Sequence, residues 1–317
     1  MKKINFNWFY YWLGCIVGGI ILGGTIVYLF STPVSSGPPV SSPVASFAPS
    51  PRVALDKPVT LLFVGDVMLG RSVNQHIQQA NDPSWPYVYV KDVLRSADIT
   101  YINLESPLVS NCPVVETGMK FCGATSNVQG LIDVGIDVAS LANNHATNYG
   151  SAGLSETVKL LSDSGIAPIG VGTSSSIMKE GYLYTFHSFN DVGEDALAKI
   201  TTIPKRAKEL IIVTFHWGSE YQTQPNNRQI MLAHKAIDLG ADLVIGAHPH
   251  WVQTKEIYKD KPIYYSLGNF VFDQEWSLKT KQGLAVRFTY RGTELLKTEE
   301  LPVLIENYGQ PHWQYVL

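Results

Sequence analysis

The sequence predicts an α/β fold, mixed β-sheets flanked by helices, placed behind an N-terminal transmembrane helix. Three observations predict it. Short, continuously apolar, β-branched runs recur from residue 60 onward, several of them separated by amphipathic helical patterns. The last such runs follow one another directly, as antiparallel strands do. The chain also begins with a long uncharged segment unlike anything after it. Continuous rather than alternating hydrophobicity means strands buried on both faces, and strands interleaved with helices mean a sheet with helices packed on it.

The N-terminal segment, Trp8–Phe30, holds 23 residues without a charge. As a helix it would span about 35 Å, against a bilayer core of about 30 Å. Lys2 and Lys3 precede it and the next charge is Arg52. The positive-inside bias therefore keeps residues 1–7 in the cytoplasm and exports everything after residue 30, as a single-pass cell-membrane protein. A cleaved signal peptide competes, but its apolar region normally stops at about 15 residues before a small-x-small site. Here the run is longer, and Ala45 and Ala48 lie far downstream. Gly14-Gly18 and Gly19-Gly23 have the GxxxG spacing that would let two such helices form a homodimer. Residues 31–56 are rich in Ser, Pro, Val and Ala and read as a semi-extended tether. The exported domain is then 57–317, long enough for one large core.

Within that domain the strands read, in order, as Thr60–Val64, Ile99–Ile102, Val138–Leu141, Leu210–Phe215, Leu243–Ile245 and Ile263–Leu267. Helical patterns occupy Ser151–Ser164, with Leu154, Val158 and Leu161 on one face, and Asn227–Leu239. The first helix stops at Gly165, good stop chemistry. Gly283–Tyr290 and Glu294–Ile305 read as further strands. No strand pair is evident between Gly172 and Glu209.

The residues just beyond each strand carry the chemistry. Thr60–Val64 leads into Asp66, Ile99–Ile102 into Asn103 and Glu105, and Val138–Leu141 into Asn143, Asn144 and His145. Leu210–Phe215 leads into His216, Leu243–Ile245 into His248 and His250, and Ile263–Leu267 into Asn269. Ligands of open α/β sheets bind outside the carboxyl ends of the strands. One strand-end Asp or His is ordinary turn chemistry; the repetition predicts one edge lined with carboxylate, amide and imidazole groups. Nitrogen and oxygen donors without thiolate suit Mn, Fe or Zn.

Composition removes other classes. Lys and Arg number 24 against 27 Asp and Glu, a formal charge of −3, and no basic run exists to neutralise nucleic-acid phosphates. Three cysteines with no CxxC spacing argue against a thiolate zinc site. Cys112 and Cys122 fall in the exported part, where an oxidising compartment would let them close a small loop; Cys15 sits in the apolar run.

The motifs GDVMLGR (65–71), NLE (103–105), LANNH (141–145), YGSAG (149–153), HWGSEY (216–221), GAHPHWVQ (246–253) and SLGNFVFD (266–273) are then recognisable. They resemble the CapA family of bacterial capsule and poly-γ-glutamate synthesis proteins, itself similar to the calcineurin-like metallophosphoesterases. The resemblance implies that fold and one or two divalent metals. It implies Asp66, Glu105, Asn144, His216, His248 and His250 as ligands, Glu105 bridging, and His145 as the catalytic acid. Arg71, Asn103, Glu220 and Asn269 fall in the motifs as supporting or substrate-contacting residues. Met68 replaces a ligating histidine of typical phosphoesterases, and Asn148 replaces an Asp usual in the family.

Two cations bring +4 against −2 from Asp66 and Glu105, so such a site attracts a phosphate anion. Two metals about 3.5–4 Å apart clamp a phosphoryl group. The resemblance supports two functions: a membrane-tethered, metal-dependent phosphoesterase, or a non-catalytic metal-bound scaffold in a capsule-polymer synthesis complex. Trp217, Tyr221 and Trp251 flank the motifs as either a stacking platform or core.

Overall fold

The computed structural model describes residues 56–201 and 203–314. The expected anchor over 8–30 with its GxxxG pairs and Cys15, and all of the expected linker over 31–56 except its last residue, lie outside the described residues. Among the described residues no helix is long and apolar enough to cross a membrane.

The strands follow the chain as β1 (Val59–Val67), β2 (Ile99–Leu104), β3 (Leu108–Val109), β4 (Gly123–Ala124), β5 (Val138–Ser140) and β6 (Ala167–Ile169). Then come β7 (Ser175–Lys179), β8 (Tyr182–Asn190), β9 (Glu209–His216), β10 (Leu243–Ala247), β11 (Lys255–Tyr258) and β12 (Lys261–Tyr264). The last are β13 (Asn269–Val271), β14 (Gln282–Arg291), β15 (Glu294–Glu306) and β16 (Gln310–Trp313). One sheet has the order β16-β15-β14-β1-β2-β5-β6, with β13 also paired to β1; a second has the order β11-β12-β10-β9-β8-β7. Both are mixed. β1, β2, β5 and β6 run parallel, while β14, β15 and β16 add antiparallel hairpins.

The continuous hydrophobicity of the strands has its reason in this layering. Along β1, Leu61 and Phe63 enter the core between the two sheets, and Leu62 and Val64 enter a second core beneath helices on the outer face. Along β9, Leu210 and Ile212 face the inter-sheet core while Ile211 and Val213 pack under helix Asn227–Asp238. Alternate residues point to opposite faces, so a strand covered on both sides must be apolar at every position. That helix is set by a capping box: Asn226 Oδ1 accepts from Gln229 N at 2.9 Å, and Gln229 Oε1 accepts from Asn226 N at 3.0 Å.

Two expectations need correction. A strand pair does exist between Gly172 and Glu209: β7 and β8 pair antiparallel, and β8 runs parallel to β9 over its full length. Tyr184 and Phe186 fill the inter-sheet core, but intervening Thr185, His187 and Ser188 break the apolar run that would mark a strand in the sequence. Ile263–Leu267 is not one strand. β12 ends at Tyr264, and the chain turns through Gly268, at φ 67°, before β13.

Candidate metal centre

Asp66 lies one residue before the end of β1, fully buried. Gly65 makes that placement feasible, because a Cβ there would meet Gly268 O at 2.1 Å. The close approach lets Asp66 N donate to Gly268 O at 2.9 Å and sets Asp66 in register with Asn103 on β2 and Asn269 on β13. Asn103 Nδ2 donates to Asp66 Oδ1 at 2.8 Å.

Glu105 follows β2, its N–H donating to Val67 O at 2.7 Å. The carboxylate is wholly buried, and neither oxygen has a hydrogen-bond partner among the described residues. Its Oε1 is instead surrounded by Nε2 of His250 at 3.8 Å, of His145 at 3.9 Å and of His216 at 4.0 Å. These distances are too long for hydrogen bonds. They suit ligands of shared cations: bonds of about 2.0–2.2 Å put two ligands up to about 4.4 Å apart. A carboxylate without donors is costly to bury. Burial accordingly drives Glu105 well above the usual carboxylate range, with His250 opposing and Asp66 adding to the rise.

The imidazoles are oriented from behind. Asn269 Nδ2 donates to Thr280 O at 2.9 Å and to Gln274 Oε1 at 3.0 Å, so its Oδ1 is the atom 2.9 Å from His250 Nδ1. His250 therefore donates through Nδ1 and turns Nε2 toward Glu105. The same logic fixes His145. Asn148 Oδ1 accepts from Phe121 N at 2.6 Å and from His145 Nδ1 at 3.0 Å, leaving Nε2 on the metal side. His216 ends β9, and its Nε2 lies 2.8 Å from Asn144 Oδ1, two candidate ligands side by side. His248 follows β10 with φ 95°, its Nδ1 buried without a partner among the described residues.

Protonation follows from burial and neighbours. Burial, then the surrounding histidines, hold His216 well below the usual imidazole value. Burial, then His250, push His248 down to about 4. In His250 burial also acts downward but is outweighed by the Glu105 and Asp66 carboxylates, which bring it up to about 9. Neutral imidazole is the form that ligates metal, so His216 and His248 are in the state a cation requires, and a cation bound there would displace any proton on Glu105 or on the facing nitrogen of His250.

Three groups of ligand atoms lie within 4.8 Å of one another: Asp66, Glu105 and His250; Glu105, His216 and His248; and Glu220, His248 and His250. Glu105 belongs to the first two, as a bridging carboxylate must. The donor chemistry and the unpartnered Glu105 fit divalent cations.

Arg71 is not among these groups. Its guanidinium pairs with Asp273, donates to Gly118 O at 3.1 Å and lies 4.5 Å from the Phe121 ring centre. With His145, His250 and Glu220 it lines a cleft of about 270 Å³. Cys112 and Cys122 form a disulfide, Cα atoms 5.7 Å apart, closing a loop whose Glu116, Thr117, Met119 and Phe121 make one cleft wall. Met68 is buried in the outer core, its sulfur accepting from Gly70 N at 3.0 Å, so it presents no donor to the cluster. Trp217 is core, stacked on Phe215 with centroids 4.3 Å apart. Tyr221 and Trp251 are half-buried beside the cleft. Asn143, placed by the sequence at a strand end but given no role, donates through Nδ2 to Leu104 O at 2.9 Å, and one residue of the cleft escaped the sequence altogether, Trp276, which is exposed. Trp276 falls in no motif and had no signal in the sequence.

The family model described as bacterial capsule synthesis protein PGA_cap matches residues 60–186 and 186–274. The chain belongs to this family. The CapA resemblance of the motifs is thereby shown, and the PGA_cap match spans every candidate ligand. The capsule biosynthesis protein CapA of Bacillus anthracis is 29% identical over 285 residues, covering 80% of this chain and 69% of that protein. The PGA biosynthesis protein CapA of Bacillus subtilis (strain 168) is 31% identical over 288 residues, covering 82% of this chain and 75% of that protein. Among solved structures, a novel phosphatase of Mycoplasma pneumoniae aligns with a TM-score of 0.52 at 12% identity, covering 80% of this chain and 95% of that one. A hypothetical protein of Thermus thermophilus aligns with a TM-score of 0.50 at 14% identity, covering 77% of this chain and 98% of that one. At such identities the likeness concerns the mixed α/β fold of this PGA_cap member, not its activity.

Proposed function

We propose that this chain acts in bacterial capsule or poly-γ-glutamate synthesis or export, as a membrane-tethered, extracytoplasmic, metal-dependent hydrolase of the phosphoesterase type. The observation that carries the reading is Glu105, a fully buried carboxylate with no donor of its own among the described residues and three imidazole Nε2 atoms 3.8–4.0 Å away. Asp66, Glu105 and His250 would hold one cation; Glu105, Asn144, His216 and His248 would hold the other. Bound there, Mn, Fe or Zn supplies Lewis acidity toward a phosphoryl oxygen and lowers the pKa of water.

The residues of the chain do the rest. Asn103 fixes Asp66, and Asn269 fixes the ring of His250, so the donors are preorganised. His145, buttressed by Asn148 and the Phe121 ring at 3.9 Å, presents Nε2 to the cleft. There it takes up a proton and delivers it to the leaving oxygen. The disulfide-closed loop and Tyr221 both line the cleft and wall the substrate in.

The test uses the full chain reconstituted with Mn, Fe or Zn and assayed on a generic phosphodiester and monophosphate. His145→Ala should lower turnover by about 10²–10⁴-fold, the usual worth of a positioned acid or base, without loss of bound metal. A scaffold role is favoured by one observation, Met68 turned into the core, which leaves one cation with few donors. Bound metal with no turnover in the wild type, and unimpaired capsule formation in His145→Ala cells, would establish that reading instead.

A further inference from the structure

We propose that Glu220 is itself a metal ligand, closing from the cleft side the cation position that Asp66, Glu105 and His250 form; this rests on the metal-binding reading above.

Counting donors leads there. The position between Asp66, Glu105 and His250 has three protein donors, and Met68, which follows Asp66 by two residues, turns its sulfur onto Gly70 N. Four donors are the usual complement for a tetrahedral cation. The Glu220 carboxylate comes within 4.8 Å of the ligand atoms of both His248 and His250. It is half-buried and lines the cleft with His145 and His250, whereas Glu105 is wholly buried.

The backbone is arranged to hold it there. Glu220 lies on the loop after β9, between Gly218 at φ 83° and Tyr221 at φ 61°. That loop is tied to the loop after β10 by two bonds: Trp217 N donates to Ala247 O at 3.2 Å, and Tyr221 N donates to Pro249 O at 2.8 Å. On the facing loop His248 and His250 stand at φ 95° and 56°. Three non-glycine residues in the left-handed region on two bonded loops carry backbone strain of the kind that collects at functional sites. A second observation points to a cation independently of Glu220. Both oxygens of Glu105 and Nδ1 of His248 are buried without partners among the described residues. With Glu220 included, three carboxylates face +4, and the centre keeps a net positive charge for an anionic substrate.

The experiment compares wild type, Glu220→Gln and Glu220→Asp as full chains in detergent, loaded with Mn²⁺. Calorimetric titration and elemental analysis read affinity and stoichiometry, and electron paramagnetic resonance reads whether two ions are coupled. The wild type should hold two ions. Glu220→Gln should weaken one of them at least tenfold, replace the coupled signal with that of an isolated ion, and leave metal-free thermal unfolding no lower than wild type. Glu220→Asp, which keeps the charge on a shorter arm, should fall between. Glu220→Gln that binds Mn²⁺ as tightly and in the same number as wild type overturns the proposal and makes Glu220 a substrate contact, with the metal centre standing. Should Glu220→Gln not fold, Glu220→Asp with wild-type affinity overturns it equally. A wild type that binds no metal overturns the proposed function itself, a distinguishable outcome.

Discussion

At the amino end of β10 the buried carboxylate of Asp242 accepts from Ile211 N at 3.0 Å, from Lys205 Nζ at 2.8 and 2.6 Å, and from Lys261 Nζ at 2.8 Å. At the carboxyl rim of the sheets Glu105, also buried, accepts from nothing among the described residues. The two acids respond in opposite ways. Burial pushes Asp242 up, but the lysines and the Ile211 amide outweigh it and hold the carboxyl below its ordinary value. Glu105 has no such donors and rises. A buried acid with a structural task is given protein donors, whereas one left without them costs stability unless something outside the chain supplies the charge. The contrast teaches which end of the strands is scaffold and which is site.

The largest effect is expected of Glu105→Gln. Metal affinity should fall by more than the roughly 10–100-fold that losing a supporting contact costs. The metal-free protein should be no less stable, because no protein hydrogen bond to the Glu105 carboxyl is lost. Titration calorimetry and scanning calorimetry on one preparation read both; a lower metal-free melting point would contradict the assignment. Asn269→Ala comes next. It removes the acceptor that turns His250, so Mn²⁺ affinity should drop by about 10–100-fold while Glu105 stays in place.

The opposite change is expected at the scaffold end. Asp242→Asn should cost about 1–2 kcal/mol, discounted because Lys205 and Lys261 are each more than a third exposed, and should leave metal stoichiometry untouched. The pH dependence gives it a second readout. Because Asp242 is held below its ordinary value in the fold, its stabilisation is full above the unfolded-state pKa of about 3.9 and is lost as pH falls through the folded value. Wild-type melting should therefore fall more steeply below about pH 4 than that of Asp242→Asn. Parallel slopes in the two proteins would show that Asp242 does not stabilise the fold as a paired carboxylate.

Particular residues show how far the sequence could be read. Leu61, Phe63, Leu210 and Ile212 announced doubly covered strands because burial on both faces forbids polar alternation. Ile263–Leu267 looked the same, yet the turn at Gly268 that seats Asn269 beside Asp66 is a local backbone matter invisible to hydropathy. β8 escaped notice because Ser188, bonded to Ser140 Oγ at 2.6 Å and to Thr214 Oγ1 at 2.7 Å, satisfies its hydroxyl inside the core and so reads as polar in the sequence. Glu220 was legible only as part of a motif.

By itself, the order of residues determined which chemical groups stand at the strand ends: a carboxylate after one strand, an amide and imidazole after another. That follows from local patterning, since strand termination and side-chain type are properties of neighbouring residues. Tertiary structure alone decided which nitrogen of each histidine faces the centre, that Glu105 goes without a donor among the described residues, and that Met68 points away while Glu220 lines the cleft. Those outcomes depend on contacts between loops that different strands deliver, where orientation is set by whichever partner the fold brings within about 3 Å.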